Sequence, residues 1–254
     1  MSRVALVTGG GRGVGRVLVD RLVADGWSVA VTGRTPVEVP GALTIAGDTT
    51  VRADVELAVR RAAEELGPLD LVVPNAGRFA TGGPLWESDP ADWWRDVEVN
   101  LLGPVLVLHA ALPAMVARGS GRVVLLGSGF AYRDVSHASA YAASKAALQK
   151  LGEGVAAELA GTGVAVFTVS PGLVRTDMTE AFPEGFTAHN PGFAAPERWG
   201  DPQHLVDLVL RLTTGGYDAL SGRFVNVTTD LDVAVQAVVT RPRGGTLGLV
   251  PWTA

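Results

Sequence analysis

The chain has 254 residues, no cysteine and a formal net charge of −5. The absence of thiols excludes thiolate catalysis, cysteine-bound zinc and iron–sulfur ligation and fits a reducing compartment, while the negative charge runs against binding a phosphate polymer, so nucleic acid is not an expected partner. Folding at this size can remove roughly 70–75% of the extended surface from water, so a single domain over residues 1–254 needs no disulfide or metal staple.

The amino terminus runs straight into a short aliphatic strand at 4–7. With no basic segment, apolar core and cleavage site before it, no secretory signal is expected and a cytoplasmic setting is. That strand stops at Thr8-Gly9-Gly10-Gly11, after which Val14, Val17, Leu18 and Leu22 recur at helical spacing. The alternation continues, with strands at 28–32, 43–46, 69–73, 122–126 and 164–169 and helices at 51–66, 91–117 and 138–160. Strands alternating with helices imply right-handed crossovers and a parallel sheet. Their continuous apolar runs imply burial on both faces. The expected fold is therefore α/β, a doubly wound parallel sheet of Rossmann type. Residues 101–117 are apolar apart from His109, but the run carries Pro104 and Pro113 and starts beside Asp96, Glu98 and Asn100. It reads as a buried or interface helix, not a membrane span. From 171 to 202 the rhythm breaks, with prolines and glycines scattered among Phe182, Phe186, Phe193 and Trp199. A long irregular segment in a compact domain is more often functional than disordered, so residues 173–201 read as a substrate lid. A helix at 203–214 and a strand at 223–227 complete the pattern.

Two local signals carry chemistry. Gly9, Gly13 and Gly15 lie at the first strand-to-helix junction, where backbone without side chains can approach a pyrophosphate and the helix N-terminus offers unpaired N–H groups. Three residues separate the first two glycines, unlike the commoner G-x-G-x-x-G. The second signal is Tyr141 with Lys145, which an α-helix stacks on one face. With three tyrosines and only two lysines in 254 residues, chance gives such a pair in about 2% of chains. Arginine supplies every other basic residue, so a lysine here points to a need for its compact ammonium. A free tyrosine titrates near 10, and a neighbouring cation favours the phenolate, so the Tyr141 value is expected to fall and the phenol to act as a general acid. His109, His137, His189 and His204 lack metal-ligand spacing, and no metal is expected. Trp93 and Trp94 read as packing for the long helix.

Together these residues resemble the short-chain dehydrogenases/reductases in their compact single-domain form, over about residues 3–230. Thr8-Gly9 with Arg12, Gly13, Val14 and Gly15 is similar to the family's cofactor turn, Asn75-Ala76-Gly77 to its sheet-stabilising motif, and Pro171-Gly172 with Val174 and Thr176 to the segment that binds the nicotinamide carboxamide. Asn100, Ser128, Tyr141 and Lys145 match its catalytic four, and Asp48 its adenine contact. The resemblance implies hydride transfer between a nicotinamide cofactor and a carbonyl carbon, with Tyr141 giving its proton to the oxygen and Ser128 hydrogen-bonding that oxygen. Lys145 would hold the nicotinamide ribose, and Asn100 a water that links Lys145 to solvent. Ser128 capping a turn and Asn100 satisfying a helix kink are the alternative, purely local roles. At the end of the second strand stands Arg34 and no carboxylate, and Arg12 adds a second cation, which favours NADP over NAD. Phe79, Phe130, His137, Met178 and Phe182 are the expected substrate pocket, with Trp86 and His189 as further candidates. The expected substrate is a medium-sized, mainly apolar ketone or secondary alcohol. The alternatives are a non-redox epimerase or dehydratase, and a binding protein that senses NADP(H). The small-residue helices at 91–117 and 138–160 imply a homodimer or homotetramer. The stretch 230–254 departs from the family's common Asp-Gly-Gly ending and carries Arg241-Pro242-Arg243-Gly244-Gly245, which leaves its role open.

Overall fold

The computed structural model describes residues 2–35, 38–193, 197, 199–241 and 244–247. The apolar runs become strands, buried on both faces in the middle of the sheet and partly exposed at its two edges: β1 (Val4–Thr8), β2 (Ser28–Gly33), β3 (Ala42–Ala46), β4 (Leu71–Val73), β5 (Gly121–Leu126), β6 (Val164–Ser170) and β7 (Phe224–Asn226). They form one seven-stranded sheet in the order β3-β2-β1-β4-β5-β6-β7. Every neighbouring pair is parallel. The helices are α1 (Gly13–Ala24), α2 (Arg52–Leu66), α3 (Pro90–Val97), α4 (Gly103–Arg118), α5 (Ser139–Glu158), the one-turn α6 (Asp177–Glu180) and α7 (Glu184–Thr187), α8 (Gln203–Leu212) and α9 (Leu231–Thr240).

Alternate residues of each strand supply two separate cores. Val7, Val31, Val73, Val124 and Phe167 point to the side covered by α1 and α8, where they meet Leu18, Leu22, Leu205, Val209 and Leu212. Leu6, Val72, Val123, Leu125 and Val166 point to the other side and meet Val55 of α2, Val107 and Met115 of α4, and Leu148 of α5. Each fully buried side chain of this size contributes about 1.5–3 kcal/mol through removal from water, so the two layers hold the sheet between the helices.

The helix expected at 91–117 runs from Pro90 to Arg118 and is long and apolar enough to cross a membrane by length and composition. In the fold it buries Val107, Leu108, Ala111 and Met115 and leaves Leu102, Val105 and Val116 exposed on the outer side. It is also not uniform: Glu98–Leu102 winds as a π-helix around buried Asn100. Such wide turns interrupt α-helices chiefly at functional sites. Pro104 stands at the start of α4, a position where the missing N–H is best tolerated.

Helix α9 falls outside the expected elements. Beyond it, the Phe224 N–H donates to the Gly245 carbonyl (2.7 Å) and Arg223 to the Gly244 carbonyl (3.0 Å), so residues 244–247 return along the free edge of β7. Residues 242, 243 and 248–254 of that stretch lie outside the described residues. The chain reverses direction across the sheet at β1, which has β2 on one side and β4 on the other. Loops leaving the carboxyl ends of β1 and β4 therefore diverge, and a doubly wound sheet opens its ligand crevice at that point.

Candidate active site

The glycine turn fills one side of this crevice with backbone alone. Gly9 and Gly13 adopt φ of 65° and 56°, a region that favours glycine. A Cβ at Gly15 would lie 2.3 Å from Asn75 Nδ2 and 2.9 Å from the Gly9 carbonyl oxygen. The first turn of α1 has no side-chain cap. Uncapped N–H groups behind a glycine cradle fit an anionic pyrophosphate. Asn75 fixes the turn to β4: its Nδ2 donates to the Thr8 and Gly9 carbonyls (2.8 and 3.1 Å), while the Asn75 and Ala76 N–H groups donate to Thr8 Oγ1 (3.1 Å each). A Cβ on Gly77 would stand 3.4 Å from Asn100 Oδ1 and 3.5 Å from Met178 Cε, which places all three together.

Of the expected nucleotide contacts, Asp48 is the most engaged. Its Oδ1 accepts from the Thr50 N–H and hydroxyl (2.8 and 2.7 Å), and its Oδ2 pairs with Arg95 (3.3 Å). Burial pushes the carboxyl up, but the Thr50 bonds and the charges of Arg95 and Arg34 outweigh it and hold the group below the ordinary carboxylate range. Asp48 lines a small cavity with Thr8, Thr32, Gly47 and Val107 beneath the crevice. Arg34 is exposed at the end of β2. Arg12 reaches across the crevice to Asp177, the first residue of α6, at 3.4 Å. Thr176 caps α6 by a reciprocal capping box with Thr179 and lies against Gly13, where a Cβ would be 3.5 Å from its Cγ2. Gly172 takes φ 73° and Val174 bridges to Gly200, and of the 171–176 segment it is Thr176 that meets the glycine turn.

Helix α5 brings Tyr141 and Lys145 onto one face, with Lys145 Nζ 5.5 Å from the Tyr141 ring centroid. Ser128, at the end of β5, hydrogen-bonds the phenol. It also accepts the Phe130 N–H at 3.3 Å, so it caps the following turn as well. The expectation that the lysine lowers the Tyr141 value fails. Burial raises the phenol to about 12, and only the Ser128 bond draws it down. Lys145 is itself 5% exposed, and burial lowers it to about 8. Its Nζ donates to the Leu126 carbonyl at 2.7 Å, and desolvation of both partners outweighs what the spacing alone suggests.

Asn100 is 1% exposed and fully bonded within its π turn. Its Oδ1 accepts the Arg78 N–H (2.8 Å), and its Nδ2 donates to the Arg78 carbonyl (2.8 Å) and to Ser144 Oγ (3.0 Å), which in turn donates to the Tyr141 carbonyl (2.7 Å). Asn100 thus ties the exit of β4 to the turn of α5 that carries Tyr141. Three participants escape a motif reading: Ser144, whose position inside Tyr141-Ala142-Ala143-Ser144-Lys145 was the available signal, and the pair Arg78 and Asp96. Asp96 is 0% exposed and accepts a charge-assisted bond from Arg78, with further bonds from the Ala80 and Thr81 N–H groups (3.2 and 2.9 Å).

Between Arg78 and Ala80 sits Phe79, stacked on Tyr141 with centroids 4.6 Å apart. Phe79, Phe130, Met178 and Phe182 of the expected pocket meet there with Tyr141, and Phe186 and Phe193 join them. His137 stands at the side: at φ 63° it stacks on His189 (3.7 Å), and its carbonyl accepts the Gly83 N–H (3.1 Å). Trp86 does not line the site; it is 84% exposed on a short 3-10 turn after β4. Trp93 donates to Ser139 Oγ (3.0 Å) at the start of α5, whereas Trp94 is exposed and packs little. Among the described residues no group of three or more His, Asp or Glu could hold a metal ion.

A family model for short chain dehydrogenases matches residues 3–185. The chain belongs to the short-chain dehydrogenase/reductase family. Within it, the chain is 36% identical over 200 residues to the short chain dehydrogenase andI of Emericella variicolor, covering 78% of this chain and 65% of that protein. A second fungal relative, from Pseudocercospora fijiensis, is covered over 61% of its length. The 3-oxoacyl-[acyl-carrier-protein] reductase MabA of Mycobacterium bovis is 32% identical over 227 residues, 89% of this chain and 92% of that one. Among solved structures, levodione reductase aligns with a TM-score of 0.80 at 28% identity, over 88% of this chain and 95% of that one. The actinorhodin polyketide ketoreductase, solved with NADPH, aligns with a TM-score of 0.76 at 30% identity, over 89% and 95%. The glycine turn, Asn75 and the Ser128, Tyr141 and Lys145 cluster described above all lie within the matched residues of this short-chain dehydrogenase/reductase.

Proposed function

We propose that the protein is an NADP(H)-dependent oxidoreductase that interconverts a ketone and a secondary alcohol. The observation that carries this reading is the meeting of Ser128, Tyr141 and Lys145 at the carboxyl edge of the sheet, beside an uncapped glycine turn.

A bound nicotinamide supplies the hydride for reduction, or accepts it in the reverse direction. At neutral pH the Tyr141 phenol keeps its proton and donates it to the carbonyl oxygen as charge develops there. The Ser128 hydroxyl hydrogen-bonds the same oxygen in a dry site, where one preorganised donor is worth about 10²–10³ in rate. Lys145 is mostly protonated below its value of about 8, so its ammonium balances the phenolate left on Tyr141. Asn100 and Ser144 hold the turn that carries both groups. Phe182, Phe186 and Phe193 of segment 173–201 cover the site as a lid; residues 194–196 and 198 of that segment lie outside the described residues.

NADP is favoured by Arg34 at the end of β2, where no carboxylate stands to grip a ribose 2′-hydroxyl. The NADPH-bound polyketide ketoreductase with a similar fold supports the same preference. The exposed apolar side chains Leu102, at the end of the π turn, and Val105 and Val116 of α4 support assembly with a second copy. The test is a panel of ketones and alcohols followed at the NADPH absorbance band, with NADH alongside and Tyr141→Phe as control. NADPH consumption that Tyr141→Phe abolishes supports the reading; altered product without cofactor consumption overturns it in favour of epimerisation or dehydration.

A further inference from the structure

Seven phenylalanines occur in the chain, and five of them, Phe79, Phe130, Phe182, Phe186 and Phe193, converge on Tyr141. They come from three stretches far apart in sequence: the loop after β4, the turn after β5, and the lid. Phe79 lies 18° from parallel to the phenol. Phe130, Phe182 and Phe186 turn their rings towards Phe79 at 61–78°, with centroids 5.1–6.2 Å from its own. Phe193 closes the ring set against Phe130 and Phe186 (5.2 and 5.3 Å). Phe79 and Phe186 are buried and form a floor; Phe130, Phe182 and Phe193 are half-buried and form a rim.

Three arginines near this cluster are engaged: Arg78 with Asp96 and Asp92, Arg175 with Glu180, and Arg12 with Asp177. The cluster itself has no charged side chain among its members to meet a substrate carboxylate. Aromatic rings, by contrast, meet partners of their own kind here. Their negative faces and positive edges favour offset-stacked and edge-to-face contact over contact with a saturated ring of equal area.

On the reading given above, we propose that the ring cluster is a recognition site for an aryl ketone or the matching benzylic alcohol, and that Phe79 is the residue that sets its plane. An aryl carbonyl is coplanar with its ring, so a ring packed on the half-buried rim, whose tilt Phe79 sets through its edge-to-face contacts with Phe130 and Phe182, fixes the carbonyl oxygen relative to Tyr141 and Ser128. In the reducing direction one hydride from NADPH reaches the carbonyl carbon and the Tyr141 proton its oxygen, giving the benzylic alcohol and NADP⁺.

The experiment compares 2-acetylnaphthalene with its fully saturated decalin counterpart, in the wild-type chain and in Phe79→Leu. Two readouts are taken: kcat/KM with saturating NADPH, and calorimetric binding of each ketone to the protein loaded with NADP⁺. The wild type is expected to prefer the aryl ketone about ten-fold or more in both, the sum of two or three aromatic contacts, and Phe79→Leu to shrink that preference about three-fold or more. Circular dichroism checks folding, and Phe182→Leu on the rim replaces Phe79→Leu if that variant fails to fold. Equal handling of both ketones, or a preference that neither variant moves, overturns the aryl proposal and leaves the reductase reading intact. Preferential binding of the aryl ketone without reduction does the reverse. Binding of neither ketone overturns the aryl proposal.

Discussion

Phe79 lies flat on Tyr141, centroids 4.6 Å apart, because the residues on either side of it are pinned to the same buried carboxylate. Asp96 holds Arg78 by an ion pair and Ala80 and Thr81 by their N–H groups. An acid on α3 therefore sets the position of a ring in the site without touching the reacting atoms.

Removing that acid leaves the Arg78 guanidinium with Asp92 alone and takes the acceptor from two backbone donors. Asp96→Ala is expected to cost about 3–5 kcal/mol, the usual penalty for breaking one half of a buried pair. Asp96→Asn, which still accepts hydrogen bonds, is expected to cost clearly less. Urea denaturation midpoints check both. A loss under about 1 kcal/mol for Asp96→Ala would show that the loop is held by something else.

Buried Lys145 gives stability a pH dependence whose sign follows from its depressed value. Below about 8 both folded and unfolded chains carry the charge, and the native state bears the full cost of burying it. Between about 8 and the ordinary lysine value of 10.5 the native state sheds the proton first, so stability rises with pH over that window. The whole effect is on the order of 3 kcal/mol. Lys145→Met removes it. The stability difference between wild type and Lys145→Met, measured by denaturation at pH 7 and pH 9.5, is expected to shift in favour of the wild type at the higher pH. A difference independent of pH would contradict the burial argument.

Much of this was legible in the sequence. Apolar runs separated by helical periods located the strands and implied a parallel sheet covered on both faces, and the Tyr141 and Lys145 spacing put the two side chains on one face of α5. The sign of the Tyr141 shift was not legible, because the cation four residues away is visible in sequence whereas burial of the phenol is not. Helix α9 was missed because its run of Val233, Val235, Val238 and Val239 has the β-branched density of a strand. Phe186 and Phe193 stood out only as aromatics of an irregular segment. Their convergence on Phe79 depends on the path of the lid, which no local spacing encodes.

The glycine turn makes a sharper prediction. Gly15→Ala would put a Cβ 2.3 Å from Asn75 Nδ2. Asn75 must move, and with it the bonds that shape the turn. NADPH affinity, read by nicotinamide fluorescence, is expected to fall about ten-fold or more, with the far-ultraviolet circular dichroism unchanged. Unchanged affinity would mean the nucleotide sits elsewhere.

Cofactor choice is tested at Arg34. Arg34→Asp removes a cation and introduces the carboxylate that suits a ribose 2′-hydroxyl. The ratio of kcat/KM for NADPH over NADH is expected to fall roughly ten- to 100-fold, matching about 1.5–3 kcal/mol for a hydrogen bond to a charged group. A ratio that stays put would remove Arg34 from nucleotide recognition.

The central claim is that the Tyr141 hydroxyl delivers the proton. The most direct measurement is single-turnover ketone reduction by Tyr141→Phe preloaded with NADPH, beside its NADPH dissociation constant. The account predicts an unchanged dissociation constant and a reduction rate at least about 100-fold below wild type. A variant that binds NADPH normally and reduces the ketone at close to the wild-type rate would contradict it.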